Sequence, residues 1–279
     1  MLKREIEDGE QSLADPAFRA DVLAGLERRP RAIPARWFYD RRGSELFEAI
    51  TDLPEYYPTR TERSILETAC PEVAEIAGAG RAVVEFGSGS STKTPILLKA
   101  VAPSVYVPID ISGDFLRESS RVLADQFPEL LVLPFEADFM RPLALPKTIA
   151  DTPKLGFFPG STIGNMIPLM AVDLLKAMRA SLGIGAMLLI GMDRIKDPAV
   201  LVPAYDDAQG VTAAFTIEGR PFDIAAGETI HTENSHKYGS RDARILLRSG
   251  GWTPIREWTD PAGLFSLYLA EAQAERPAP

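Results

Sequence analysis

The run Val83-Val84-Glu85-Phe86 leads directly into Gly87-Ser88-Gly89. A β-branched strand ending in two closely spaced glycines must turn tightly, and those glycines let the backbone approach whatever lies beyond the strand end. A second apolar run, Val105 to Ile109, ends in Asp110, 25 residues after Glu85. Helical spacing from Lys93 to Ala100 lies between the two runs. The rhythm continues with a helix over Asp114–Gln126, a strand over Leu130–Pro134 and another over Leu155–Phe158, a helix over Leu169–Leu182 and a strand over Met187–Ile190. Strands alternating with helices across short loops predict a parallel sheet with helices on both faces. Ligands bind outside the carboxyl ends of such strands, so Gly87, Asp110, Asp138 and the string Gly160-Ser161-Thr162-Ile163-Gly164-Asn165 are expected to face one crevice.

The loop pair suits a nucleoside-like ligand, because an acid at the tip of the second strand can accept hydrogen bonds from both hydroxyls of a ribose. A dinucleotide fingerprint would want a third glycine where Thr92 stands. S-adenosylmethionine has no pyrophosphate to seat on a helix N-terminus, and the looser E-x-G-x-G pattern fits it better. Near the C-terminus, Trp252–Trp258 and Leu264–Leu269 read as strands joined by Asp260-Pro261-Ala262-Gly263 into an antiparallel hairpin added to the sheet. Such a reversed final strand belongs to class I S-adenosylmethionine methyltransferases. The predicted fold is therefore α/β, a Rossmann-like class I sheet completed by that hairpin, with a second, smaller α+β lobe.

The N-terminal part shows helical spacing over Asp15–Arg28, with Phe18, Val22, Leu23 and Leu26 on one face, then a proline-marked loop and the aromatics Trp37, Phe38 and Tyr39. Thr61-Glu62 opens a further amphipathic helix. Past Asp193 the alternation stops: Ala204–Thr212 reads as a helix end and loop, and Phe222-Asp223-Ile224 as a short strand.

At 279 residues and 46% apolar content the chain can bury a sizeable core. Lys+Arg 30 against Asp+Glu 39 leaves a net charge of −9, which argues against nucleic acid or anionic lipid as a partner. The single cysteine, Cys70, allows no internal disulfide and suits a reducing compartment as a buried, inert thiol; His231 and His236 alone do not make a zinc cage, so no metal is expected. The first residues, Met1 to Asp8, are charged and lack an apolar signal region, and no run reaches the length of a membrane span. The chain is read as a cytoplasmic monomer acting on a small molecule.

Five strings together, Trp37-Phe38-Tyr39-Asp40, Leu53-Pro54-Glu55-Tyr56-Tyr57-Pro58-Thr59-Arg60-Thr61-Glu62, Gly160–Asn165, Ala204-Tyr205-Asp206-Asp207 and Thr232-Glu233-Asn234-Ser235, resemble the L-histidine Nα-methyltransferases of ergothioneine biosynthesis. The resemblance implies trimethylation of histidine to hercynine with S-adenosylmethionine as methyl donor, and an organisation in which residues 1–60 are the N-terminal part of a substrate lobe, 61–196 the cofactor core, 197–237 the shortened rest of the lobe and 238–279 the strands completing the core. It further implies that Gly87, Lys93, Asp110, Asp138 and Phe139 contact the donor. Tyr56, Asn165, Tyr205, Glu233 and Ser235 would hold histidine, and Tyr39 would act with Asn165 at the reacting amine. In the related fungal N-methyltransferases of tryptophan derivatives the scaffold is shared, and Glu233 is what would favour an imidazole N–H over an indole. The chain departs from the pattern after Phe215, where family members carry several dozen more residues and Thr216-Ile217-Glu218-Gly219-Arg220 here closes the gap.

Each residue also has a plain structural reading. Gly87 and Gly89 can serve as turn glycines, Asp110 and Asn165 as helix caps, Lys93 as a surface lysine, the three tyrosines as core aromatics, and Glu233 with Ser235 as a capping pair. For function, the alternatives are methylation of another small amine or amino acid, a donor-binding module whose turnover is impaired by the short lobe, and, further off, a nicotinamide oxidoreductase.

Overall fold

A computed structural model of the chain describes residues 16–38, 49–89, 91–205, 214–217, 220–223 and 227–274. These fall into two compact units, one within residues 1–38 and 208–233, the other within 39–207 and 234–279.

The larger unit is built on one eight-stranded sheet. Its strands are β2 (Ala82–Phe86), β3 (Val105–Asp110), β4 (Leu131–Val132), β5 (Phe135–Glu136), β6 (Lys154–Phe158), β7 (Met187–Asp193), β11 (Trp252–Thr259) and β12 (Phe265–Ala272). The order is β11-β12-β7-β6-β2-β3-β4, with β5 also paired to β3. Strands β2 to β7 run parallel, while β12 is antiparallel to both β7 and β11, the reversed hairpin the sequence predicts. The single strand predicted over 130–134 is instead the two short strands β4 and β5. Pro134 between them has no N–H to give the ladder, so pairing to β3 breaks there and resumes at Ile109↔Phe135.

Helices pack on both faces. On one side α2 (Tyr57–Ala77) and α3 (Thr94–Val101) cover Val83, Leu155, Phe157, Leu189 and Leu267 with Ile65, Leu66, Val73, Leu97 and Leu98. On the other, α5 (Pro168–Leu182) and α7 (Ser240–Ser249) cover Val84, Phe86, Leu188 and Ile190 with Leu174, Leu175, Met178, Leu246 and Leu247. Alternate residues of one strand serve opposite faces, and each such aliphatic side chain contributes about 1.5–3 kcal/mol on burial. Helix α4 (Gly113–Gln126) follows β3. Helix α2 begins at Tyr57, ahead of the predicted Thr61, because Pro58 in its first turn supplies a preset helical φ and lacks only an N–H that would have no partner there. Helix α7 lies in the stretch expected to hold strands alone; Ala243, Leu246 and Leu247 at helical spacing are its buried face.

In the smaller unit, α1 (Pro16–Glu27) presents Val22 and Leu26 to Ile33 and Ile230, and β1 (Arg31–Ala32) pairs in parallel with β10 (Ile230–His231). The buried Arg31 guanidinium donates to Glu228 and to the Leu26 carbonyl, each at 2.7 Å. Trp37 donates to Asp21 at 2.9 Å and meets Phe18 edge-on. Strands β8 (Ala214–Ile217) and β9 (Arg220–Asp223) pair antiparallel with Ile217 opposite Arg220, so only Glu218 and Gly219 join them. No described helix is long and apolar enough to cross a membrane.

Candidate active site

The carboxyl ends of β2, β3 and β5 carry the expected donor-binding residues. Leaving β2, the chain turns through Gly87 at φ 69° and Gly89 at φ 50°, a left-handed path that glycine adopts without strain. The Gly87 and Ser88 N–H groups donate to the Ile109 carbonyl at 2.8 and 3.1 Å, which pins the loop to β3. Asp110, the last residue of β3, accepts from the Gly89 N–H through one oxygen and from the Ser112 N–H through the other, both at 3.0 Å. The helix-cap reading does not apply to Asp110, because Ser112 occupies the cap position of α4. Asp138 is exposed and accepts from the Met140 N–H at 2.9 Å. Phe139 packs edge-on against Phe86 and Phe158, and its ring lies 3.6 Å from where a side chain on Gly87 would begin.

The glycine loop is open on its outer side. Nothing lies within 4 Å of where a Gly89 side chain would begin, and the buried Ser88 hydroxyl has no partner among the described residues. Open glycine backbone, a strand-end carboxylate and a nearby aromatic ring fit an adenosyl group with a free ribose diol.

Beneath the loop, Glu85 is buried and accepts from Thr94 Oγ1 at 2.7 Å and Tyr106 OH at 2.6 Å, which ties β2 to the start of α3 and to β3. Burial pushes its carboxyl up to about 7, with those two hydrogen bonds pulling the other way. Glu85 therefore braces the loop.

Glu62, on α2, is assigned no site role by the sequence pattern. Fully buried, it accepts from the Gly160 N–H at 2.9 and 3.1 Å and from the Lys93 ammonium at 2.5 Å. It also passes close to β7: a side chain on Gly191 would begin 2.0 Å from its Oε1, so a larger residue there would displace the carboxylate. Lys93, an unfavourable charge at a helix start, is matched by this carboxylate. One buried acid thus touches the chain after β2 and the chain after β6.

The β6 end leads through Gly160 and Ser161 into a 3-10 turn, Thr162–Asn165. Ser161 Oγ accepts from the Asp193 N–H at 2.9 Å, and the Gly164 carbonyl accepts from the His236 N–H at 2.7 Å. Asn165 closes the turn half-buried, its carbonyl taking a bond from Asn234 Nδ2 at 3.3 Å. Tyr56 is buried at the head of α2. Ser235 is exposed, with Lys237 Nζ 2.5 Å from its hydroxyl oxygen. Glu233, also exposed, belongs to the smaller unit, and Tyr205 is the last residue of α6 (Pro198–Tyr205). Tyr39 lies outside the described residues. Gly87, Lys93, Asp110, Asp138, Phe139 and Asn165 are thus gathered on one rim of one sheet.

A second buried cluster sits where β7 ends. Asp193 accepts from Tyr57 OH at 2.6 Å, from Lys237 Nζ at 2.8 Å, from the Arg194 N–H at 3.0 Å and from Lys196. Lys196 also donates to Tyr57 OH at 2.6 Å; burial holds its ammonium below the usual lysine range, against the pull of Asp193. An acid ending a strand, as at Asp110, was the one sequence signal for this site.

A family model described as histidine-specific methyltransferase, SAM-dependent, matches residues 18–219 and 216–272. The histidine N-alpha-methyltransferase of Mycolicibacterium smegmatis is 35% identical over 309 aligned residues, covering 92% of this chain and 95% of that enzyme. Ergothioneine biosynthesis protein 1 of Neurospora crassa is 34% identical over 73% of this chain, which spans 24% of that protein. Among solved structures, magnesium protoporphyrin IX methyltransferase from Synechocystis, with bound S-adenosylhomocysteine, superposes with a TM-score of 0.53 at 12% identity, covering 86% of this chain and 98% of that one, a likeness of fold. The family match breaks at 216–219, within the β8–β9 hairpin, and an alignment longer than the chain itself carries gaps on this side.

Proposed function

Because this chain belongs to the histidine-specific, S-adenosylmethionine-dependent methyltransferase family, we propose that it methylates the α-amine of L-histidine, carrying it to Nα,Nα,Nα-trimethylhistidine for ergothioneine biosynthesis. The observation that carries this reading is the family match along residues 18–272, joined to a rim on which Asp110 ends β3 and Asn165 closes the turn after β6, with β2 between the two strands.

Gly87, Asp110, Asp138 and Phe139 would hold S-adenosylmethionine, with Lys93 beside them. Bound there, it supplies a sulfonium methyl already activated for in-line displacement. The remaining work belongs to the protein: hold a neutral amine on the methyl axis and exclude water, for which ~7–11 kcal/mol is the ceiling of positioning alone. Asn165 suits a zwitterion, because its amide donates to the carboxylate and accepts from the amine. An ammonium has no lone pair, so its proton must leave first; Tyr39, or a water chain to bulk, takes it. Tyr56, Tyr205, Glu233 and Ser235 hold the amino acid, Glu233 accepting from the imidazole N–H. Within this reading, 61–196 and 238–279 form the cofactor core and 1–60 with 197–237 the acceptor lobe, in a cytoplasmic monomer that engages neither nucleic acid nor membrane.

Incubating the purified protein with S-adenosylmethionine and histidine, followed by mass spectrometry, is expected to give products carrying up to three added methyl groups. The shortened β8–β9 hairpin favours one competing reading, a donor-binding module with impaired turnover. Tight S-adenosylhomocysteine binding with no methylated histidine would establish that reading and end the first.

A further inference from the structure

Resting on the histidine reading above, we propose that Lys237 is a positioning residue: it fixes the direction of the Ser235 hydroxyl and so makes the acceptor pocket select a ring nitrogen bearing a lone pair. Lys237 Nζ lies 2.5 Å from Ser235 Oγ and 2.8 Å from Asp193 Oδ2. An ammonium can only donate, so the Ser235 oxygen is the acceptor in that bond. Its one hydrogen must then point away from Lys237. The adjacent positive charge also polarises the hydroxyl, strengthening it as a donor and weakening its remaining lone pair as an acceptor.

Lys237 is held where this effect is constant. Its side chain is 11% exposed, against a carboxylate at Asp193 that is 1% exposed and is itself fixed by Tyr57, Lys196 and the Arg194 N–H. Ser235 and Lys237 are two residues apart in an irregular stretch, and the contact between their side chains is local to it. Ser235 remains exposed, so its hydroxyl is free to meet a ligand while Lys237 stays behind it.

A neutral imidazole offers one N–H and one lone pair. With Ser235 the stronger donor and the weaker acceptor, it favours the lone pair and leaves the N–H for a separate acceptor. A pyrrole or indole ring has no lone pair to offer, and an imidazolium has none either. Specificity thus resides in a largely buried lysine that acts through the Ser235 hydroxyl.

The test is calorimetric binding to the full chain saturated with S-adenosylhomocysteine, comparing histidine with its pyrrole analogue, in which the lone-pair nitrogen is replaced by C–H. Wild-type protein is expected to prefer histidine by about tenfold or more, the weight of one hydrogen bond to a polarised group. In Lys237→Met and Ser235→Ala that preference should fall toward unity. The double variant should lose no more than about the larger single loss, because the two act through one bond. Lys237→Leu, which likewise cannot donate to Ser235, reads the same ratio should the methionine variant fold poorly. An unchanged preference in a folded Lys237 variant, or additive losses in the double variant, overturns the proposal and leaves the histidine reading intact. A wild-type protein that binds no histidine overturns both.

Discussion

Glu62 and Gly160 stand 98 residues apart, yet both Glu62 carboxylate oxygens take the Gly160 backbone N–H, at 2.9 and 3.1 Å. The same carboxylate holds Lys93, so a single side chain on α2 sets the loop after β6 against the start of α3. Replacing it separates two effects. Glu62→Ala leaves a buried N–H and a largely buried ammonium without their acceptor, and is expected to cost about 3 kcal/mol of stability in urea unfolding. Glu62→Gln retains an acceptor but no charge; the expected outcome is a folded protein with kcat/KM for histidine lowered about tenfold, or about 1.4 kcal/mol.

Asp110→Ala is expected to weaken S-adenosylhomocysteine binding by about 30-fold or more, or roughly 2 kcal/mol, because a ribose acceptor and the brace on the Gly89 N–H are lost together. Calorimetry reads this directly. Undiminished affinity would remove Asp110 from the donor site.

Asn165→Ala should reduce methylation of histidine by at least about 100-fold, roughly 2.7 kcal/mol of transition-state stabilisation, with S-adenosylhomocysteine affinity almost unchanged. Full activity in this variant would show that the amide does not hold the acceptor.

Glu85 makes stability fall as pH rises. Its carboxyl stands at about 7 in the folded protein, chiefly through burial, against 4.5 for an ordinary glutamate. The folded state therefore binds the proton more tightly than the unfolded chain. The associated stability is fully present below about pH 4.5 and is lost as pH climbs through 7, a difference on the order of 3 kcal/mol. Glu85→Gln keeps an acceptor for Tyr106 and Thr94 without an ionisable proton. Relative to wild type, its urea midpoint is expected to gain between pH 5 and pH 8, and parallel pH profiles for the two proteins would refute this.

Cys70 is buried on α2, and burial pushes its thiol up to about 12. Reagents that attack thiolates are expected to label it only at the rate of unfolding, with the rate rising as urea is added. Rapid labelling of the native protein would contradict the packing of this helix.

The alternation of strands and helices was legible because it rests on local periodicity, and the reversed hairpin because Asp260–Gly263 separates two apolar runs. The rim residues followed, since strand ends on one edge of a parallel sheet must converge. Glu62, Asp193, Lys196 and Lys237 were not legible as sites. Their partners lie as far off as Gly160 and Tyr57, and a charged residue becomes a buried ligand only when distant elements close over it. Pro134 was visible, yet its effect, dividing one strand into β4 and β5, depends on which ladder needed its missing N–H. Helix α7 escaped because only Ala243, Leu246 and Leu247 mark its inner face within a charged ten-residue run.

The placement of β12 bears on how the enzyme comes into being. Phe265–Ala272 is inserted between β7 and β11, pairing with both along its length. A nascent chain that has not yet delivered these residues from the ribosome therefore leaves β7, the strand that carries Asp193, as a bare apolar edge able to recruit strands from other chains. Protection during synthesis has to last until that strand emerges, and a frameshift or stop codon upstream of Phe265 would abolish the methyltransferase outright, however complete its binding rim.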